Sequence, residues 1–442
     1  MIGQSAMKSR TARRARALLR LAGPGSLRFR RRVALLGGAV TVGVVALLFA
    51  KAADVASEAF VRMVARAPLA PLLITPLGLM LIVWITRRHA PLAAGSGIPQ
   101  VIAAIEAREG VARRLVELRM AVMKMALTIA ALLAGGSVGR EGPTVQISAA
   151  IMEWTHRVMK VRYSPSVMIA GGAAGVAAAF NTPLAGIAFA IEELASAYEQ
   201  RTTLLVITAV IISGMVSLSL AGNYTYFGVM SAQLPLGSAV LIAVMAGVAG
   251  GLSGGLFSRL MLGFTHSSNP LVREMRAKPL LAAMLCGLVI AAIGVATGNS
   301  WGTSYAPARD MLQGEGGPLW FGPAKFASTL ATALSGVPGG IFAPSLATGA
   351  GIGNLLAWFF PQNQAGAVVL LGMVGYFTGV VRAPLTAVII IAETTGSRGF
   401  MLPLLCASLT ADWASQRLCR EKLYHGLSRR FLREEQAPRK AD

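Results

Sequence analysis

The sequence is poor in charge. Only 14% of its 442 residues are charged, whereas a soluble domain carries roughly a quarter. Nineteen acids cannot clothe a soluble protein of this length, and a hydrophobic content of 55% excludes a disordered chain. What remains is an integral membrane protein. Cysteine and histidine are scarce as well. Cys286, Cys406 and Cys419 contain no CxxC pair and read as free thiols, and His89, His156, His266 and His425 lack ligand spacing. The sequence therefore offers no metal site and asks for no cofactor. HExxH and GxxxxGK[ST] are absent too, so an embedded enzyme or a non-transporting scaffold is only a remote alternative.

Acids are missing altogether from the first 51 residues, which hold eleven Lys and Arg. Arg28, Arg30, Arg31 and Arg32 abut the first apolar run, and Arg417, Arg420, Lys422, Arg429, Arg430, Arg433, Arg439 and Lys440 crowd the other end. A net charge of +22 is a footprint of nucleic-acid binders. Bases clustered beside apolar runs, however, are the signal that keeps those ends in the cytoplasm. We expect no nucleic-acid partner, both termini cytoplasmic and an even number of crossings. No small-residue cleavage site follows the first apolar run, so no cleavable secretory signal is expected.

Apolar runs long enough to cross or half cross a bilayer of about 30 Å lie at 33–51, 67–85, 120–138, 166–191, 203–221, 236–262, 279–297, 326–350, 366–392 and 399–413. Many are interrupted by Gly and Pro, at 139–143, 181–183, 338–344 and 382–384. Broken backbone at membrane depth is tolerated only inside protein or beside a wet cavity, so these breaks are the places to look for a site.

The breaks repeat at an offset of 201 residues. Gly139 and Pro143 fall on Gly340 and Pro344, Gly171 on Gly372, Pro183 and Leu184 on Pro384 and Leu385, and Glu192 on Glu393. Residues 135–193 share ten identities with 336–394, and the matches are chiefly helix breakers and one intramembrane acid. Two halves with a broken helix in the same place point to a transport site at their interface, although an offset alone leaves parallel and inverted arrangements open. Positions kept in both halves, such as Glu192 and Glu393, lean towards a structural role. Glu141 faces Phe342 and Glu193 faces Thr394, so these two acids carry whatever the halves do differently.

Each Gly-x-x-x-Pro break suits a helix start, because Pro fits the first turn and Gly allows close approach. Two helix N-termini converging would bind an anion on backbone amides, weakly enough to release it. The alternative is that these residues only kink packed helices. GSGIP at 95–99 adds a hydroxyl donor or, in the plainer reading, a loop turn.

GSGIP at 95–99, GREGPTVQ at 139–146 and GGIFAPSLATG at 339–349, in that order, resemble the signature segments of the CLC chloride channel and transporter family. FNTPLAGIAFAIEE at 180–193, RAPLTAVIIIAETT at 382–395 and EKLYHGL at 421–427 extend the resemblance across about 33–430. It implies an all-α polytopic fold of two inverted-topology repeats with many tilted and broken helices. Residues 1–32 would be a basic cytoplasmic segment, 33–430 the transmembrane domain (halves about 33–221 and 236–413), and 431–442 a cytoplasmic tail. The implied protein is a homodimer in membrane lipid, set in a bacterial inner membrane, with a pathway in each subunit. It would be of a prokaryotic type without CBS domains or nucleotide control.

By the same resemblance the anion sits on the Ile341 and Phe342 amides and the Ser96 and Tyr424 hydroxyls, with Gly142 counted among the anion-binding positions. Glu141 is then the outer gate and proton carrier. Glu193 matches the inner proton relay of the exchangers, the alternative being a helix-end cap. Lys124 matches a basic residue that tunes the field, the alternative being a side chain snorkelling to an interface. Nitrate-preferring relatives replace the first-motif serine with proline and fluoride exporters alter that motif, so retention of Ser96 points to chloride. The function expected is H+/Cl- exchange, with a passive chloride channel of the same fold as the alternative.

Overall fold

The computed structural model describes residues 26–195, 200–222, 226–228, 230, 234 and 236–436. Among them the regular structure is helical, and β-pairing is confined to two isolated bridges. The helices of the first half are α1 (Leu27–Arg66), α2 (Pro71–His89), α3 (Ile98–Glu106), α4 (Glu109–Leu115), α5 (Leu118–Leu133), α6 (Glu141–Val158), α7 (Pro165–Phe180), α8 (Pro183–Phe189) and α9 (Gln200–Ala221). Those of the second are α10 (Leu236–His266), α11 (Pro270–Ala277), α12 (Pro279–Thr297), α13 (Tyr305–Leu312), α14 (Phe321–Ser335), α15 (Phe342–Ala357), α16 (Ala365–Val381), α17 (Pro384–Thr395), α18 (Met401–Leu418) and α19 (Leu423–Gln436).

Proline opens α2, α7, α8, α12 and α17, where its missing N–H costs nothing. The first apolar run, expected over 33–51, belongs to a longer helix. The Ser26 hydroxyl caps α1 by accepting from the Phe29 amide, and no Gly or Pro interrupts residues 52–66, where Arg62 pairs with Glu58 at 3.3 Å. Six described helices are long and apolar enough to cross a membrane. The runs at 166–191 and 366–392 are each broken in two. Asn181 and Arg382, 201 residues apart, both end their helices in the left-handed conformation (φ 57° and 59°), and Pro183 and Pro384 start the next.

A local two-fold axis is visible at the breaks. Gly139 and Gly340 form an antiparallel bridge in which each amide donates to the other's carbonyl at 2.7 Å. The pair is equivalent by offset and antiparallel in space, as a two-fold relation between the halves requires. The same axis relates two helix caps. The Glu192 carboxylate accepts from the Leu385 and Thr386 amides of α17 at 3.0 and 2.7 Å. Glu393 accepts from the Ala185 amide of α8 at 3.1 Å. Both matched acids are structural, neutralising the positive ends of the partner half's helices.

At the centre lies α16, buried along its whole length as befits a helix apolar on every side. Gly353 of α15 and Gly372 of α16 bring those helices together. A Cβ on Gly353 would sit 2.6 Å from the Val369 backbone, and one on Gly372 would sit 2.5 Å from Gly353. Small residues thus do in this core what large ones do in a soluble one.

Candidate anion and proton site

The three glycine-rich breaks meet. The Gly95 amide donates to the Val337 carbonyl at 3.3 Å and the Gly95 carbonyl accepts from the Gly339 amide at 3.1 Å. The Lys124 ammonium, buried on α5, donates to the same Gly95 carbonyl at 2.9 Å. Lys124 therefore does not snorkel; it pins the first motif beside Ser96. A side chain on Gly142 would collide with the Ser96 hydroxyl and lie 3.2 Å from Gly340. Glycine at 142 is what lets the first two motifs close on the third.

Helices α6 and α15 begin at Glu141 and Phe342, positions equivalent by offset, so two N-termini point into this junction. Their first amides have no intrahelical acceptor. Ser96, Ile341 and Tyr424 line a cavity of about 670 Å³ whose lining also includes Arg87, Arg276, Arg429 and Arg430. The Ser96 and Tyr424 hydroxyls are both buried and both unpaired. Buried hydroxyls are rarely left so, and two of them beside free amides describe a pocket for a small anion. The Phe342 ring points away from it, edge-on to Phe377 at 4.9 Å and beside Phe180, Phe189 and Tyr424. The ring anchors the helix end while the backbone faces the site.

Glu141 is fully buried at the start of α6. Its carboxylate accepts a hydrogen bond from the Tyr305 hydroxyl and lies near the Ala343 amide of α15. It is thus seated between the two N-termini. Arg140 stands 3.9 Å away and pairs with Asp54 of α1 at 2.6 Å.

Glu193 lies in a π-helical turn, 190–194, that follows α8, a distortion common at functional sites. Its carboxylate is buried, 3.5 Å from the Lys422 ammonium and 3.3 Å from His425 Nδ1. It caps no helix, since Glu192 does that work. Tyr424, between Lys422 and His425 in sequence, feels the charge of both Glu193 and Glu141.

Residues 77–416 match the family model described as voltage gated chloride channel. The chain belongs to that family. It is 31% identical over 433 residues to an H(+)/Cl(-) exchange transporter ClcA of Yersinia pseudotuberculosis serotype IB, covering 90% of this chain and 87% of the relative. A ClcA of Vibrio cholerae serotype O1 is 32% identical over 368 residues, covering 79% and 77%. Among solved structures, a slow cyanobacterial Cl-/H+ antiporter superposes with a TM-score of 0.79 at 24% identity, over 92% of this chain and 99% of that one. A CLC-type fluoride/proton antiporter superposes at 0.74 and 22%, over 90% and 96%. Both share the fold.

Within this voltage gated chloride channel family chain, the residues that resemblance selected, Ser96, Glu141, Gly142, Ile341, Phe342 and Tyr424, converge on one junction. Lys124 is packed behind it, and Glu193 is at the other side of Tyr424. Four residues had escaped the sequence reading. Lys422 and His425 flank Tyr424 and are drawn to Glu193 only by the docking of α19. Lys325, buried on α14, donates to the Ser300 and Gly302 carbonyls at 3.1 and 2.6 Å. It falls on Lys124 at the same offset of 201, so extending the repeat upstream would have found it. Tyr305 carried no signal, for it lies in no motif and outside the repeated segments 135–193 and 336–394.

Proposed function

We propose that this protein exchanges chloride for protons across a membrane, as the names of its exchanger relatives state for them. The observation that carries the reading is the pair of unpaired buried hydroxyls, Ser96 and Tyr424, beside the Ile341 and Phe342 amides, with a carboxylate seated at the adjoining helix ends. Hydroxyls and amides stabilise an anion by dipoles, so chloride is held without a full opposing charge and can leave. Gly142 contributes an amide at the α6 end, and Lys124 raises the local potential through the loop it pins.

Glu141 mimics the anion in its seat. While ionised it competes with chloride; once protonated it has no reason to stay among helix N-termini, and the path opens. Each opening thereby loads a proton. Glu193, buried, uncapped and in reach of Lys422 and His425, takes protons from the opposite side, which is the use intramembrane acids commonly serve. The arginines in the cavity lining raise the local concentration of anions. In this reading both basic termini, 1–32 and 431–442, are cytoplasmic and flank a transmembrane domain over 33–430. The membrane is a bacterial inner membrane, and two copies associate within its lipid.

The test is flux in liposomes. With a chloride gradient imposed and the voltage free to respond, protons should move uphill. Glu141→Gln should abolish that movement while chloride still passes. Chloride flux with no uphill proton movement in the parent protein would replace the exchanger by a passive channel of the same fold. Proton pumping that survives Glu141→Gln would remove Glu141 from the mechanism.

A further inference from the structure

The Tyr305 hydroxyl reaches the Glu141 carboxylate from outside every motif, and its hold on position is unusual. Its ring stacks on Tyr226 with centroids 5.3 Å apart and an angle of 26°. Phe227 meets it edge-on at 5.5 Å. The Arg140 guanidinium lies over both tyrosines, 5.2 Å from the Tyr226 centroid and 5.7 Å from that of Tyr305. Arg140 is itself fixed, donating to the Ala50 carbonyl at 2.5 Å and pairing with Asp54.

The backbone that delivers Tyr305 is fixed as well. Lys325 binds the carbonyls of residues 300 to 302, and Trp301 packs edge-on against Phe60 at 5.1 Å. Ser304, in the left-handed conformation, donates its hydroxyl to the Trp301 carbonyl at 3.0 Å and leads into α13 at Tyr305. A buried lysine thus braces the turn that aims one phenol at one carboxylate.

We infer that Tyr305 is a positioning residue for Glu141, its phenol latching the carboxylate into the seat between α6 and α15; this rests on the reading of Glu141 as the gate. A hydrogen bond to a charged oxygen is about twice as strong as a neutral one, so the latch favours the ionised, seated carboxylate over the protonated, released one. The other groups that bear on Glu141 are few. Arg140 lies alongside it, Asp54 acts through Arg140, Tyr226 acts through Tyr305, and Tyr424 approaches from α19. The first turn of α15, Phe342-Ala343-Pro344, brings no charged or titratable group, only the N–H groups of Phe342 and Ala343.

Tyr305→Phe keeps the ring stack and removes the donor. In proteoliposomes it should raise chloride flux at neutral pH by roughly fivefold to tenfold, because a seat stabilised by a charge-assisted bond opens more readily without it. The midpoint of flux against pH should move by about one unit towards alkaline, since a lost bond to the charged form lets the carboxyl protonate sooner. Proton coupling should persist. 3-Fluorotyrosine at 305, a stronger donor of nearly the same size, should move the midpoint the other way and guards against a folding artefact of the Phe variant. An unchanged midpoint and flux in both variants, with Glu141→Gln still abolishing proton movement, overturns the latch and leaves the gate standing. A Tyr305→Phe shift that survives in a Glu141→Gln background also overturns it, since the hydroxyl would then act elsewhere. Proton movement surviving Glu141→Gln alone would instead sink the gate reading, and the latch with it.

Discussion

Glu192 and Glu193 are neighbours of the same residue type in different surroundings, and the difference lies in the donors they face. Glu192 spends both oxygens on the amides of α17 and on the Thr386 hydroxyl. Glu193 makes no such bonds and faces Lys422 and His425 instead. In the proposed exchange the oxygens of Glu192 are committed to a helix end, whereas Glu193 has His425 in reach as a group that can itself carry a proton. Glu193→Gln should therefore cut proton movement by on the order of tenfold or more while chloride flux changes far less, the size expected when a positioned acid–base group is removed. Coupled proton and chloride fluxes measured together in proteoliposomes check this, and undiminished coupling would reduce Glu193 to a buried spectator. The repeat made the distinction legible in the sequence, since Glu192 has a counterpart in Glu393 and Glu193 does not. Its basic partners were not legible, because His425 of α19 and Lys422 just before that helix lie more than two hundred residues away.

Among elements, the broken helices carry the design. Each break ends in a left-handed residue, Asn181 or Arg382, and restarts at a proline, so α8 and α17 expose N-terminal amides inside protein. Such orphan donors need acceptors, and each half supplies the other's. Glu192→Ala should then cost about 1–2 kcal/mol, the size of a lost N-cap, seen as a lower thermal midpoint in detergent. Glu193→Gln, which uncaps nothing, should leave that midpoint in place. Equal destabilisation by both would deny the separation of roles. The positions of these breaks were readable as Gly and Pro at matched offsets, and so was the start of α15 at the third motif. The 40-residue length of α1 was not, since hydropathy marks only the stretch that lipid or core must cover, while helix continues wherever nothing breaks it.

For the whole molecule, the inverted repeat turns one kind of break into a site at the axis. Gly139 and Gly340 bond to one another, and the residues that follow by two, Glu141 and Phe342, differ. In the proposed mechanism the shared backbone builds the cradle and the unmatched Glu141 gives it a direction. The proposed orientation rests on the basic ends. With the three native cysteines replaced by Ala, Ser9→Cys and Ala441→Cys should both react with a membrane-impermeant thiol reagent only from the cytoplasmic side. Labelling of either from the other side would overturn the proposal that both ends are cytoplasmic. The single-sided placement follows from the charge asymmetry, because Lys and Arg beside an apolar run resist translocation.

The sequence alone determined the solvent, the repeat and the breaks. Its scarcity of charge demands a membrane, and its Gly and Pro mark where helices must stop, because both are local consequences of covalent structure and hydration. Its signature segments also placed it in its family. Only the tertiary structure decided what meets at the axis. The seating of Glu141 against Tyr305, the bracing of that turn by Lys325 and the basic flank of Glu193 join residues far apart in the chain. Their approach is set by helix packing through small residues, which no local pattern of side chains encodes.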